Sequence, residues 1–183
     1  MIDIFQDYVA WRILRRFAMK PRSKAYVNEL AVELELSAGS CSAILSEFEK
    51  EGILEKKILG RAKYYSLADT YVTRELRRFV GLMEVHRSGL AHAIEEQAEG
   101  LVAAAVYGSF AVGDFDEGSD LDVVIIASGN PTLILSAQEN ALGRDVNAKV
   151  FGMGSWLGLK AANDPFYKSV KANHVRISGG GVP

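Results

Sequence analysis

Apolar residues recur at helical spacing through the first part of the chain. Phe5, Val9, Ile13 and Phe17 stand four residues apart and Leu14 joins them, so one face of a helix is apolar until Pro21 ends it. Val27, Leu30, Ala31 and Leu34 form a second stripe. Cys41, Ile44, Leu45 and Phe48 form a third, reached through the turn Glu35-Leu36-Ser37, with Ser37 placed to cap the helix. Gly52 suits the end of that helix. The pattern then changes, and residues 53–58 and 62–67 read as strands joined by a tight turn at Gly60. Three helices and a hairpin are predicted.

Val72, Leu76, Phe79 and Met83 then restore the helical period, with a break near Ser88-Gly89. Residues 101–106 are an apolar run ending in Gly108-Ser109, and residues 121–127 are a second such run reached through Asp120-Leu121-Asp122. A helix is expected from Pro131 to Leu142, returning the chain to a third strand at 145–151. Trp156-Leu157-Gly158-Leu159 and Asp164-Pro165-Phe166-Tyr167 suggest packing helices, residues 175–177 a short strand, and the glycine-rich residues 178–183 a flexible tail. The expected domains are 1–69, a helical connector over 70–99, and 100–183 with a small mixed sheet; the fold class is α+β.

The chemistry gathers at the ends of the two apolar runs. Side chains on a strand alternate, so Asp120 and Asp122 aim to the same side and make a candidate site for Mg2+ or Mn2+. Gly108 allows close backbone approach, and Ser109 offers a hydroxyl and an amide to phosphate oxygens. Asp114, Asp116 and Glu117, in the loop between the motifs, read as solvating residues.

A Gly-Ser strand end followed by Ser-Asp-x-Asp resembles the DNA polymerase beta-type nucleotidyltransferase superfamily, in its minimal nucleotidyltransferase branch, over residues 101–151. The resemblance implies transfer of a nucleoside monophosphate from a nucleoside triphosphate (NTP) to an acceptor hydroxyl, with Asp120 and Asp122 as catalytic metal ligands. The family's third carboxylate aligns with Asn147, which carries no charge and is a poor proton acceptor. Asp145, about 6–7 Å away along the strand, is the alternative ligand if the register shifts. Many relatives carry an arginine where this chain has Val112; Lys149 is the candidate replacement for that phosphate contact.

Residues 24–67 resemble winged helix-turn-helix transcription regulators. The resemblance implies a third helix in the DNA major groove, presenting Ser40, Ser42 and Ser46 among the small residues Ala38, Gly39 and Ala43, so base readout is expected to be modest. Lys56, Lys57, Arg61 and Lys63 around the wing, with Arg22 and Lys24, are the candidate phosphate contacts, partly offset by Glu47, Glu49, Glu51 and Glu55. A winged helix fused to such a transferase domain resembles a group of predicted prokaryotic regulators in which Asn at the third position is common. The expected function is a DNA-binding regulator with a Mg-dependent transferase domain. The alternative is a non-catalytic or antitoxin-like protein whose domain senses nucleotide or docks a protein partner. A homodimer is expected by analogy.

Composition narrows the rest. The net charge of −2 over 183 residues requires any DNA affinity to come from a local patch. One cysteine, Cys41, excludes an intramolecular disulfide framework. The amphipathic start and the lack of a long apolar run suggest no membrane association and a cytoplasmic location. His86 and His92 lack metal-ligand spacing, and Arg74, Arg77 and Arg78 read as a solvated helix face.

Overall fold

Helix α1 (Val9–Met19) buries Ile13, Phe17 and Ala18 on one face, as the spacing predicts. Phe5 lies outside the residues that the computed structural model describes, which are 8–60, 62–129 and 131–183. After Pro21 comes a short strand β1 (Lys24–Tyr26), then α2 (Val27–Glu33) and α3 (Ala38–Lys50). The Ser37 hydroxyl accepts from the Ser40 amide at 3.0 Å, which caps α3 as expected. Strands β2 (Leu54–Leu59) and β3 (Ala62–Leu67) form the hairpin, with Gly60 at φ 63° in its tip. Ala25 of β1 pairs with Tyr65, giving an antiparallel sheet in the order β1-β3-β2. β1 escapes a periodicity reading because three residues are too few to show alternation.

The core of this unit joins Ile13, Phe17, Leu30, Cys41 and Leu45 to Leu54 and Tyr65. Each large aliphatic side chain fully removed from water there contributes about 1.5–3 kcal/mol. Burial also pushes the Cys41 thiol up despite nearby Arg12, which suits a packing role. Glu33 joins α2 to α1 through Arg16 at 3.0 Å and Lys20 at 3.3 Å.

The chain divides into two compact units, Met1–Val80 and Gly81–Pro183. Helix α4 (Tyr71–Arg87) runs through that boundary; Ser88 and Gly89 break the helix as expected, and α5 (Leu90–Gln97) follows. In the second unit β4 (Ala103–Tyr107) leads into α6 (Gly108–Val112), then β5 (Leu121–Ala127), α7 (Ser136–Leu142), β6 (Val146–Gly152), α8 (Met153–Ala161), α9 (Pro165–Ala172) and β7 (His174–Gly179). The sheet order is β6-β5-β4-β7; β5 and β6 are parallel and the other pairs antiparallel. The architecture is α+β.

All residues of β4 are buried, and β5 is buried except at Asp122, so the two central strands are covered on both faces and one polar group interrupts them. Ala103, Ala105, Tyr107, Val124 and Ile126 pack on one face against Trp156, Val170 and Val182. Among the described residues no helix is long and apolar enough to cross a membrane.

Two expectations are corrected. Residues 131–135 are not helical, and α7 begins at Ser136. Pro131 instead starts an irregular segment pinned by Gln97, whose side chain accepts from the Ile134 amide at 2.7 Å and donates to its carbonyl at 3.1 Å. The C-terminal residues are not a loose tail. β7 extends to Gly179, Val182 is buried, and the Pro183 carbonyl accepts from Trp156 Nε1 at 3.0 Å and the Tyr167 hydroxyl at 3.2 Å. Composition alone misses this because the partners lie in distant helices.

Candidate functional site

The carboxylates of interest stand at one rim of the second sheet. Leu121 is fully buried and points into the core, which turns its neighbours Asp120 and Asp122 the other way: Asp120 is exposed and Asp122 half-buried. Gly108 follows β4 with φ 69°, and a Cβ built there would stand 2.5 Å from Asp122 Oδ2. Glycine is therefore required twice, for the left-handed backbone and for the space taken by the carboxylate. Ser109 lies next, half-exposed, at the start of α6.

Asn147 is the direct partner of Asp122 across the parallel β5–β6 pair, and its Nδ2 donates to Asp122 Oδ1 at 2.9 Å. The register thus brings together the residues that the sequence pattern aligns. Asp145 precedes β6, is exposed, and gives its carbonyl to the Leu121 amide at 2.9 Å, which sets it level with Asp120 rather than Asp122. No register shift carries Asp145 into the row of Asp122. Lys149 is two residues beyond Asn147 on the same strand face, with its ammonium 4.7 Å from the centre of the Phe166 ring.

Three residues passed over by the sequence reading belong to this rim. Tyr107 is the last residue of β4; burial, and then the charge of Asp122, push its phenol up to about 12. His174, the first residue of β7, is the register partner of Tyr107. Arg144 holds the loop before Asp120, its Nη1 donating to the carbonyls of Asp116 at 3.1 Å and Ser119 at 2.6 Å. Its guanidinium lies over the Phe110 ring at 4.8 Å, and Phe110 is stacked on Phe115 at 4.0 Å. Burial lowers the Arg144 pKa, opposed by Asp116, Glu117 and Asp120. Asp116 shapes the same loop by accepting from the Gly118 amide and the Ser119 hydroxyl, each at 3.0 Å.

As a cation site the rim offers two carboxylates and one amide. Among the described residues no group of three His, Cys, Asp or Glu side chains gathers to hold a metal. The Asn147 amide nitrogen faces Asp122, so its carbonyl oxygen remains available as a neutral oxygen ligand. Such a donor set fits a hard divalent cation that draws further ligands from water and phosphate.

Among the described residues of the first unit, the hairpin lysines Lys56, Lys57 and Lys63 do not share one face. Lys56 is tied to Glu49 at 2.6 Å, which holds its ammonium above the ordinary range. Lys56 and Lys63 share the hairpin face of Tyr65, whereas Lys57 lies on the opposite face beside Tyr64, which meets Tyr26 edge-on at 5.8 Å. Arg61 lies outside the described residues. On α3, Ser42 is exposed and Ser46 half-buried, while the Ser40 hydroxyl accepts from that of Ser37 at 2.8 Å.

Residues 88–153 match the family model of a nucleotidyltransferase domain. The match spans α5 to the start of α8 and includes the whole carboxylate rim except His174. It supports nucleotidyl transfer as the general chemistry of the second unit. No curated protein matches the chain. Among solved structures, that of TrmBL2, described as an archaeal chromatin protein with a novel mode of DNA binding, aligns over 94% of this chain and 77% of its own. The identity is 16% and the TM-score 0.32, a similarity too low to establish the fold.

Proposed function

We propose that this protein is a DNA-binding regulator whose second unit binds an NTP with Mg2+ and transfers its nucleoside monophosphate to an acceptor hydroxyl. The observation that carries the reading is the stacking of Gly108 against Asp122, with Asn147 in register beside it, inside the segment that matches the nucleotidyltransferase model. Asp120 and Asp122 would hold the cation with the Asn147 carbonyl oxygen, and Gly108, Ser109 and Lys149 would receive the triphosphate. When bound, Mg2+ neutralises charge on the phosphates and orients them for in-line displacement.

The first unit supports a winged-helix reading through its element order: a capped third helix, then a hairpin whose second strand pairs with a short strand before the second helix. Ser40, Ser42, Ser46, Lys57, Lys63 and Arg61 are the proposed DNA contacts, with Lys56 demoted by its bond to Glu49. A homodimer on a symmetric site and a cytoplasmic location complete the proposal.

A second reading, a nucleotide sensor without transfer, is favoured by Asn147, because an amide supplies no third negative charge to a cation pair. Calorimetric titration of the four NTPs with Mg2+, followed by a pyrophosphate assay with cell extract, separates the two. Transfer predicts binding and pyrophosphate release, both lost in the Asp120→Asn, Asp122→Asn variant. Binding without release selects the sensor, and no binding overturns both.

A further inference from the structure

The rim continues past the carboxylates. Asn147 pairs with Asp122, Val106 with Val123, and Tyr107 with His174, so one polar row runs Asn147, Asp122, Tyr107, His174 across all four strands. Register partners share a face of the sheet, which puts the imidazole on the side of the Asp122 carboxylate. Adjacent strands are about 4.8 Å apart. His174 is thus one strand from Tyr107, the residue immediately before Gly108 and Ser109.

The ring is held in one orientation. His174 Nδ1 lies 2.9 Å from the Val170 carbonyl of α9, which can only accept, so Nδ1 carries a hydrogen and Nε2 is the ring nitrogen left to meet a ligand. Val170 is buried in the cluster that contains Tyr107, and Tyr107 meets Phe166 of the same helix edge-on at 5.4 Å, so α9 positions both rim side chains. His174 is half-buried, with access left to a ligand. Val112, the last residue of α6, is apolar and brings no charge to the β4 end of the rim.

We infer that His174 Nε2 contacts the β- and γ-phosphates, the leaving diphosphate of the NTP. This rests on the proposed binding of Mg·NTP at Asp120 and Asp122. Nε2 is the ring atom left to meet phosphate oxygens, while Nδ1 stays on the Val170 carbonyl.

Calorimetry on the full chain tests this with the NTP that the wild type binds best and with its monophosphate, both with Mg2+. In His174→Asn the shorter amide still donates to the Val170 carbonyl but has no atom in place of Nε2. The expected result is about a tenfold loss of triphosphate affinity, the effect of one such contact, with monophosphate affinity unchanged. Equal triphosphate affinity in variant and wild type, or equal losses for both nucleotides, overturns the inference while leaving the transferase reading standing. A wild type that binds neither nucleotide overturns both. If His174→Asn fails to fold, the wild type decides by NMR: the His174 ring resonances shift on adding pyrophosphate with Mg2+ and not on adding the monophosphate, and an unmoved ring refutes the contact.

Discussion

Asn147 donates its side-chain amide to Asp122 Oδ1 at 2.9 Å across the parallel β5–β6 pair. The bond occupies the place where a third carboxylate would face Asp122. A chain with Asp at this position has two anions within hydrogen-bond distance, which requires a shared proton or a cation between them. Asn147→Asp is therefore expected to lower Tm in the presence of a chelator and to recover the loss on addition of Mg2+. Thermal melts with and without the metal check this, and a variant whose Tm does not respond to Mg2+ counts against a cation site.

Arg144 governs the approach to Asp120 without touching a ligand position. Its bonds to the Asp116 and Ser119 carbonyls and its seat over Phe110 fix the loop that ends at Asp120. Lysine retains the charge but cannot span both carbonyls while lying flat on the ring. Arg144→Lys is expected to cost about 1.5–3 kcal/mol of stability and to weaken Mg·NTP binding, as read by urea unfolding and calorimetry. Unchanged values in both would remove Arg144 from the site.

Tyr107 gives the site a spectroscopic handle. Its phenol is raised to about 12, first by burial and then by Asp122. Because the folded pKa lies above the unfolded one, the contribution to stability is fully present below about 10 and is lost as pH rises through about 12. Ultraviolet titration should show one tyrosine ionising late, in or after alkaline unfolding. Asp122→Asn should bring that transition down only in part, since burial remains. A variant with all tyrosines titrating normally would contradict the environment described for the rim.

The hairpin makes a separate prediction about DNA. Lys56 is neutralised by Glu49, whereas Lys57 and Lys63 are exposed on opposite faces. In a salt series of DNA shifts, Lys57→Ala or Lys63→Ala should reduce the slope of log affinity against log salt by about one for the lysine that meets a phosphate. Lys56→Ala should change it less. A larger effect from Lys56 than from either other lysine would mean that the Glu49 pair opens on binding.

Much of this protein follows from its sequence because the signals are local. Helical periodicity located α1 through α5, Ser37 marked the start of α3, and alternation around Leu121 turned Asp120 and Asp122 to one side, each depending only on residues a few positions apart. The Gly108-Ser109 and Asp120-Leu121-Asp122 motifs point to the same rim for the same reason. The pairing of strands separated by tens of residues was left to tertiary structure. Only packing of β5 against β6 sets Asn147 rather than Asp145 beside Asp122, and only the return of β7 to β4 brings His174 to Tyr107. The anchoring of Val182 and Pro183 under Trp156, and of Arg144 over Phe110, belongs to the same class. Such contacts leave no periodic trace in the chain, because their geometry is set by where the sheet and its covering helices bury apolar surface together.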